Sequence, residues 1–574
     1  MKFNTSRIKP FIVALASIIL FQTALSADTY KIVVLPFDKL NKEKNDELDT
    51  LVMGISDTLS GALSTVDGFI IIDAGRVKRH LLENAEFSMA IGSDGTKDME
   101  KLRELAKDKL DSDYIISGSF QKIGGRIQLT AKFINVSSGK IIQGVSVNGK
   151  YPDEIFTLQE KLAREIMQKI TGRSDDKGTP ENDKIADYTQ STGNIDAYKN
   201  YIKGRTEQVK YDISDYPKAV EFYKKALKYD KKYALAWAGL SEVHALWGYQ
   251  IKYANGDWEP YLKLAVEEGV KAVEFGPTLY QTHRALSMAY LNNSDFDKAQ
   301  LHIDEAYRLN NRDAETLQIM AQLKNYGYKE MAVEGTESNK YIKLSLEYNP
   351  ELIIAKWSLA HSYSTVGNNQ MALKEYKEVL NINPKHAPSL HSIALIYYDL
   401  QDYNNCIIYA LKTVEADSKT AHHHYTLGLA YYQLKDWEKS EIALNDAVTI
   451  DPDYVNAIIT LGLVYYNKAE YPMAITLYQK VLKKDPNNLL ANYNLGLAYY
   501  QQKNWNIAIS TFQKTVQIDA KYTDAWYSMA NCYWYMKQWE KAYNTYNKVL
   551  EIDPNNTEAR KWRDDSFNKW KTGQ

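Results

Sequence analysis

Three consecutive histidines, His422–His424, are the residues whose type most directly suggests chemistry, because imidazole is a common zinc ligand. Neighbouring residues of a helix point in different directions, so these three cannot bind one ion together. A second set, His361, His391 and His422, lies on three successive repeats of the pattern described below and could form a zinc or pH-sensitive patch. No carboxylate or thiol accompanies it, and we predict no metal site.

Two other sets of residues resemble parts of active sites. Ser137–Lys140 reads SSGK, like the end of a phosphate loop, but Ile134 replaces the upstream glycine and a hairpin turn is expected there. Arg76 and His80 are one helical turn apart, which a solvated helix face also explains. No GxSxG, HExxH, complete phosphate loop or dinucleotide fingerprint occurs. We predict a protein that is not an enzyme and uses no cofactor.

The two cysteines, Cys406 and Cys532, lie almost four repeats apart. Repeats in a solenoid contact only their neighbours, so we expect two buried thiols and no disulfide. The 70 basic and 72 acidic residues give a net charge of -2, which favours no nucleic-acid partner.

The first 26 residues have the pattern of a secretory signal. Positive residues precede an apolar run from Phe11 to Phe21, and the small residues Ala24 and Ser26 suit cleavage after Ser26 or Ala27. This run is shorter than the ~20 residues that span a bilayer, although an uncleaved anchor is the alternative. We predict export to the periplasm, either free or associated with the outer membrane, and no integral span in the mature chain.

Residues 28–172 alternate short apolar runs with helical patterns. YKIVVLPF and GFIIIDA indicate strands, residues 46–66, 76–85 and 99–108 indicate helices, and residues 113–150 indicate three strands. The turns fall at Gly124-Gly125 and Ser138-Gly139, and a helix over 153–170 follows. This order predicts a mixed sheet with helices packed against it.

The segments VVLPF, GISDTLSGAL, DYIISGSFQKIGGRIQLTAKFINVSSGKII and FTLQEKLAREI, in this order, resemble the TolB amino-terminal-like domain family. That family includes bacterial envelope proteins, the curli secretion channel and activators of penicillin-binding proteins. The resemblance implies a non-catalytic domain used for assembly in the cell envelope. The sequence lacks the lipidation cysteine of outer-membrane relatives and has no extra segments for channel-lining strands.

The rest of the chain contains a recurring sequence pattern. LGLAYYQLKDW, LGLVYYNKAEY and LGLAYYQQKNW begin at Leu427, Leu461 and Leu495, which are 34 residues apart. Six such windows carry a tyrosine column from Tyr363 to Tyr533 and a column of small residues from Ala372 to Ala542. This pattern resembles the tetratricopeptide repeat, whose helix pairs stack to bury a common core.

The predicted fold class is α+β multidomain, an N-terminal mixed α/β sheet domain followed by an all-α superhelical solenoid. Its divisions are a signal peptide 1–26, the sheet domain 28–172, a linker 173–195, four repeats over 196–352 with two insertions, six contiguous repeats over 353–556 and a capping helix 557–574.

The first helix of each pair is expected to line the inner face of the solenoid, and the inward columns are rich in tyrosine and leucine. Aromatic residues concentrate binding energy at interfaces, although the same rings could simply pack between repeats. The Lys and Asn pattern that holds a C-terminal carboxylate is absent. The predicted partner-binding residues are Trp357, Tyr398, Tyr425, Leu429, Tyr432, Leu463, Tyr466, Tyr493, Leu497, Tyr500, Tyr527 and Trp534.

These patterns favour an exported adaptor of the bacterial cell envelope whose groove binds a peptide or helix of a partner protein. The alternative is a subunit or activator of a secretion or cell-wall machinery that acts through oligomerisation of its first domain. A sugar-binding or enzymatic use of the groove is the third hypothesis, since aromatic ladders also stack on sugars.

Overall fold

A computed structural model describes residues 29–41, 46–72, 77, 99–172, 180–211, 213–253, 257–327 and 335–573. The predicted signal peptide and the pair Arg76 and His80 lie outside the described residues. The chain forms two compact units, Met1–Asn368 and Asn369–Gln574, which are described separately.

A mixed sheet opens the first unit. Its central path runs β3-β1-β4-β5-β6, in which β1 is parallel to β3 and β4, and the β4, β5 and β6 pairings are antiparallel. Short β2 pairs in parallel with β4. The predicted mixed sheet is therefore present. The strands are β1 Tyr30–Val34, β2 Asp38–Lys39, β3 Phe69–Ile71, β4 Tyr114–Ile123, β5 Arg126–Asn135 and β6 Ile141–Lys150.

Both hairpin turns lie where the sequence predicts them. Gly124 and Gly139 have φ of 58° and 68°, a left-handed conformation that glycine adopts without the clash of a Cβ. Ser137–Lys140 belongs to the second turn, between β5 and β6. This placement confirms a hairpin and rules out a strand-to-helix phosphate loop at this segment.

Helices cover both faces of the sheet: α1 Asp46–Ser64, α2 Met99–Leu110 and α3 Ile155–Thr171. Helices α1 and α3 pack on one face, where Leu59 and Ile166 are fully buried. Helix α2 buries Leu102 and Leu110 on the other face. The sheet is thus the middle layer of three.

The predicted linker 173–195 differs from what the structure shows. Residues Pro180–Thr189 form helix α4, in which Ile185 and Tyr188 are 0% and 7% exposed. The two side chains are three positions apart and therefore share a helix face. The many polar residues around them concealed this short apolar pair in the sequence.

The sheet domain and the first repeats share one hydrophobic core, which contains Leu59, Ile166, Tyr188, Tyr198 and Tyr223. The helices that follow α4 in the first unit are α5 Ile195–Gln208, α6 Tyr216–Tyr229, α7 Ala234–Tyr253, α8 Glu259–Phe275, α9 Tyr280–Asn292, α10 Phe296–Leu309, α11 Ala314–Gln322, α12 Glu337–Tyr348 and α13 Ile353–Thr365. A π-helical turn, Leu323–Gly327, continues α11 where the second insertion was expected.

The second unit consists of helices with a regular spacing. They are α14 Asn369–Ile382, α15 Ala387–Asp399, α16 Tyr403–Ala416, α17 Ala421–Gln433, α18 Trp437–Ile450, α19 Val455–Asn467, α20 Tyr471–Lys484, α21 Leu489–Gln501, α22 Trp505–Ile518, α23 Thr523–Tyr535, α24 Trp539–Ile552 and α25 Thr557–Thr572.

Small residues allow the two helices of a pair to approach closely. A Cβ added to Gly462 would lie 2.5 Å from the ring of Tyr478, and one added to Gly496 would lie 2.5 Å from the ring of Phe512. All members of the predicted small-residue column in the second unit are fully buried: Ala372, Cys406, Ser440, Ala474, Ala508 and Ala542. Cys406 and Cys532 are both free thiols in buried positions, as predicted.

Candidate functional site

Aromatic pairs recur at the end of each first helix of the second unit. The aromatic row (Tyr398, Tyr432, Tyr466, Tyr500 and Trp534) meets the ring five residues later, which begins the second helix. The left-handed turn residue between the helices reverses the chain and brings the two rings together. The edge-to-face contacts have centroid separations of 5.5 Å to Tyr403, 5.3 Å to Trp437, 5.6 Å to Tyr471, 5.0 Å to Trp505 and 5.7 Å to Trp539.

The tyrosine hydroxyls of this row also connect neighbouring repeats. Gln433 Nε2 donates to the Tyr398 hydroxyl at 2.9 Å, and Gln501 Nε2 donates to the Tyr466 hydroxyl at 2.9 Å. Asn467 Nδ2 donates to Tyr432 at 3.3 Å. Each amide ends the first helix of the following repeat. The aromatic row therefore holds the stack together, and its rings are half-buried.

A second set of predicted residues, Tyr425, Tyr493 and Tyr527, lies two turns earlier on the first helices. Tyr425 and Tyr493 pack edge-to-face on the tyrosines that precede the next first helix, with centroids 5.1 Å and 5.0 Å apart. The Tyr527 hydroxyl donates to Glu558 Oε2 at 3.1 Å. Burial raises the pKa of Tyr493 and Tyr527 to about 12, so these phenols stay neutral.

The leucine column (Leu395, Leu429, Leu463 and Leu497) runs between these two sets of aromatic rings. Leu395 is 38% exposed, and the other three are half-buried. A leucine side chain has no polar atom that could form a hydrogen bond with a neighbouring repeat. The leucine column is thus apolar surface flanked by rings that the neighbouring repeats hold in position.

The remaining predicted residue, Trp357, belongs to the first unit. Its ring stacks on His361 with centroids 5.3 Å apart and planes 3° apart. Its indole Nε1 is buried and has no hydrogen-bond partner in the described part of the chain. Eleven of the twelve predicted residues therefore share the second unit.

Two of the three successive histidines contact the buried His391 ring, and each of the three has its own hydrogen-bond partner. His422 Nδ1 lies 2.6 Å from the Tyr454 hydroxyl, and His424 Nε2 lies 3.1 Å from the Ser418 carbonyl oxygen. The His422 and His423 rings lie 4.8 Å and 5.0 Å from the ring of His391, which is 2% exposed. Within the described ranges, no group of three His, Cys, Asp or Glu side chains could hold a metal ion.

A cavity of about 260 Å³ in the first unit was not predicted from the sequence. It lies mainly among the first helices of the repeats, α5, α7, α9, α11 and α13. Its lining comprises Gln208, Tyr211, Glu242, Leu246, Tyr249, Lys252, Met288, Leu291, Asn292, Ser294, Phe296, Glu315, Gln318, Ile319, Gln322, Tyr326, Leu352 and Ile354.

An ion network centred on the buried Arg284 and Glu242 forms one side of this cavity. Arg284 lies 2.9 Å from Glu242 and Asp313 and 2.6 Å from Glu315. Arg205 lies 3.7 Å from Glu242. The Arg284 guanidinium lowers the pKa of Glu315 despite burial, so this carboxyl is ionised near neutral pH.

Several residues of this cavity and its ion network occupy the inward columns when the repeat alignment is extended into the irregular repeats of the first unit. The positions of Trp357 and His361 in α13 correspond to Arg284 and Met288 in α9. In α11 they correspond to Gln318 and Gln322, and in α7 the second position is Glu242. In α7, α9 and α11 these positions include charged and amide side chains, whereas the inward columns of the second unit are rich in aromatic rings and leucine.

Comparisons with known families support this repeat assignment. Residues 355–386, 387–420 and 421–454 match a tetratricopeptide repeat family. Residues 451–549 match the family of anaphase-promoting complex, cyclosome, subunit 3. The C-terminal region therefore contains tetratricopeptide repeats, a fold that generally serves as a non-catalytic scaffold for protein interactions. None of the curated proteins compared with this sequence matches it.

Several solved structures are similar to parts of the chain. MamA is 28% identical over 28% of this chain and 95% of its own, with a TM-score of 0.28. YrrB, described as a TPR protein with an unusual peptide-binding site, is 20% identical over 32% of this chain and 95% of its own, with a TM-score of 0.29. The APC/C hetero-tetramer Cut9-Hcn1 is 16% identical over 72% and 85%, with a TM-score of 0.39.

Among the residues that the structure describes, no helix combines the length and the apolar character needed to cross a membrane.

Proposed function

We propose that this protein is an exported scaffold of the bacterial cell envelope whose second unit binds an apolar segment of a partner protein. The leucine column carries this proposal, because it places solvent-accessible leucines on successive first helices. The aromatic row beside it is fixed by edge-to-face contacts and by hydrogen bonds from neighbouring repeats. A surface that is ordered before binding loses less entropy when a partner binds.

The envelope location is supported by two sequence features. The first 26 residues have the pattern of a cleaved secretory signal. Residues 28–172 resemble the TolB amino-terminal-like domain, which functions in envelope assemblies. The sheet domain in this proposal positions the repeats within such an assembly.

A pull-down from solubilised cell envelope tests the proposal. The mature wild-type protein and a Leu429→Asp, Leu463→Asp variant serve as baits. We expect the wild type to capture a partner that the variant loses, because each aspartate places a charge in an apolar interface. The aromatic row is left intact, since its removal would also loosen the stack.

The control variant carries Leu411→Asp and Ile442→Asp, which change apolar residues on second helices that are 47% and 64% exposed. It should bind the same partner as the wild type, and all three proteins should have similar melting temperatures. A partner that both variants retain would place recognition outside the leucine column and contradict the proposal.

One observation favours the alternative of a machinery subunit that oligomerises. Strand β6 is ten residues long and, in the described part of the chain, pairs only with β5. An open edge of this length can pair with a second copy. Light scattering of the intact chain tests this with Asn148→Pro, which removes an N–H donor on the open side of β6. A wild-type oligomer that the variant loses would support the alternative, and a wild-type monomer would exclude it.

A further inference from the structure

The cavity in the first unit has carboxylates on one side and apolar residues on the other. Glu242 and Glu315 belong to the ion network, whereas Leu246, Met288 and Ile319 are apolar lining residues. A ligand that fits both sides needs a polar end and an apolar stem. The sign of the polar end follows from the charge of the network.

The network has one more acid than base. Its acidic members are Glu242, Asp313 and Glu315, and its basic members are Arg205 and Arg284. Three negative charges against two positive charges leave a net charge of -1. Lys252 also lines the cavity, but its side chain is exposed and its ammonium lies 4.5 Å from the ring of Trp258. The buried side of the cavity therefore favours a cation.

A second observation indicates a hydrogen-bond donor. Gln318 lines the cavity and is 3% exposed. Its Nε2 donates to Ser358 Oγ at 2.7 Å, but its Oε1 has no hydrogen-bond partner among the described residues. A buried carbonyl oxygen without a donor is unfavourable, and a ligand N–H would satisfy it.

We infer that this cavity binds an alkyl cation, in which an ammonium or guanidinium group meets Glu242, Glu315 and Gln318. The alkyl stem contacts Met288 and Ile319. Two sources share this chemistry: a lysine or arginine side chain of a partner protein, and a free alkylamine. The site lies in the first unit, so it is independent of the leucine column and of the proposed function.

Calorimetric titration of the full chain tests this inference with three probes. 1,5-Diaminopentane represents a free alkylamine, N-acetyl-lysine methylamide represents a side chain on a peptide, and 1-hexanol is a neutral control with an apolar stem. We expect at least one cationic probe to bind and to bind at least tenfold more tightly than 1-hexanol. Binding of both cations, or of the capped lysine alone, favours a protein-borne side chain, and binding of the diamine alone favours a free amine.

Three variants locate the binding. Glu315→Gln removes the charge and should weaken cation binding about tenfold or more. Met288→Trp fills the cavity without altering the ion network and should abolish binding. Glu305→Gln is the control, because Glu305 pairs with Arg308 and does not line the cavity. If Glu315→Gln unfolds, Met288→Trp alone decides whether the probe occupies this cavity.

Three results would overturn the inference: no heat with either cation at millimolar concentration, equal affinity for 1-hexanol and the cations, or cation binding that survives Met288→Trp. The last result would place the cation elsewhere on the protein.

Discussion

At the scale of single residues, equivalent positions in the repeats allow matched comparisons. Tyr478 and Tyr546 are both buried at the same position of their repeats, and Phe512 occupies that position between them. The Tyr478 hydroxyl has no hydrogen-bond partner among the described residues, whereas the Tyr546 hydroxyl donates to Asn531 Oδ1.

Removal of the two hydroxyls should therefore have different effects on stability. We expect Tyr478→Phe to leave the free energy of unfolding unchanged or to raise it by up to ~1 kcal/mol, since no hydrogen bond is lost. Tyr546→Phe should lower it by ~1 kcal/mol. Chemical denaturation of both variants measures the difference, and an equal loss in both would show that Tyr478 is also hydrogen-bonded in solution.

The buried His391 predicts a pH dependence. Burial, together with the neighbouring His423 and His422, holds the pKa of His391 well below its usual range. As the pH falls below ~6.5, the unfolded chain binds a proton that the folded chain excludes, so stability is lost on acidification at up to ~1.4 kcal/mol per pH unit.

The variant His391→Ile isolates this contribution, because Ile459 occupies the same column. Thermal unfolding from pH 7.5 to 5.0 should show a smaller decrease in melting temperature for the variant than for the wild type. His386, whose pKa burial lowers to about 4, leaves some pH dependence in both proteins. Identical pH profiles would assign the acid sensitivity to other groups.

At the scale of helices and turns, the regular repeats reverse direction between their two helices through a left-handed residue. Ala469, Lys435 and Lys503 have φ of 61°, 60° and 63°, and Gly367 has φ of 76°. The left-handed conformation costs ~1–2 kcal/mol for a residue with a Cβ, and the greater freedom of glycine in the unfolded chain offsets part of this.

A reciprocal pair of substitutions tests this strain. Ala469→Gly should raise the free energy of unfolding by ~0.5 kcal/mol, and Gly367→Ala should lower it by ~1 kcal/mol. Denaturant titration gives both values. If Ala469→Gly destabilised the protein instead, contacts of the Ala469 methyl group would outweigh the backbone strain.

The regular helices could be predicted from sequence because their determinants recur every 34 residues. A periodic pattern reveals only the residues that recur at the 34-residue spacing. It did not reveal the ion network around Arg284, because its partner Glu242 is 42 residues away. It also concealed the hydrogen bonds of Tyr398 and Tyr466, because a sequence column shows a ring but not what its hydroxyl contacts. The leucine column could be predicted because its exposure follows from helix position alone.

At the scale of the whole molecule, the sheet domain of the first unit is continuous with the repeats. The Tyr198 hydroxyl donates to the Gly54 carbonyl oxygen, and a Cβ added to Gly61 would lie 2.1 Å from the Tyr188 ring. Helices α4 and α5 therefore pack directly on α1. The domain covers the end of the array, as terminal caps of solenoids do.

This shared core predicts that the sheet and the first repeats unfold together. Gly61→Ala should displace Tyr188 and reduce amide protection in β4 and in α5 alike, as measured by hydrogen exchange with mass spectrometry. Gly125→Ala is the control, because a Cβ there meets nothing within 4 Å. Loss of protection confined to either element would show that the two are energetically separate.

The central claim is that the first helices of the second unit hold a partner segment, and photo-crosslinking tests it most directly. A benzophenone amino acid replaces Leu429 or Leu463 on the leucine column, or Ile442 on a second helix, in cells that express the full chain. The account predicts one partner adduct from both leucine positions and none from Ile442. An adduct from Ile442 with none from the leucine column would contradict it.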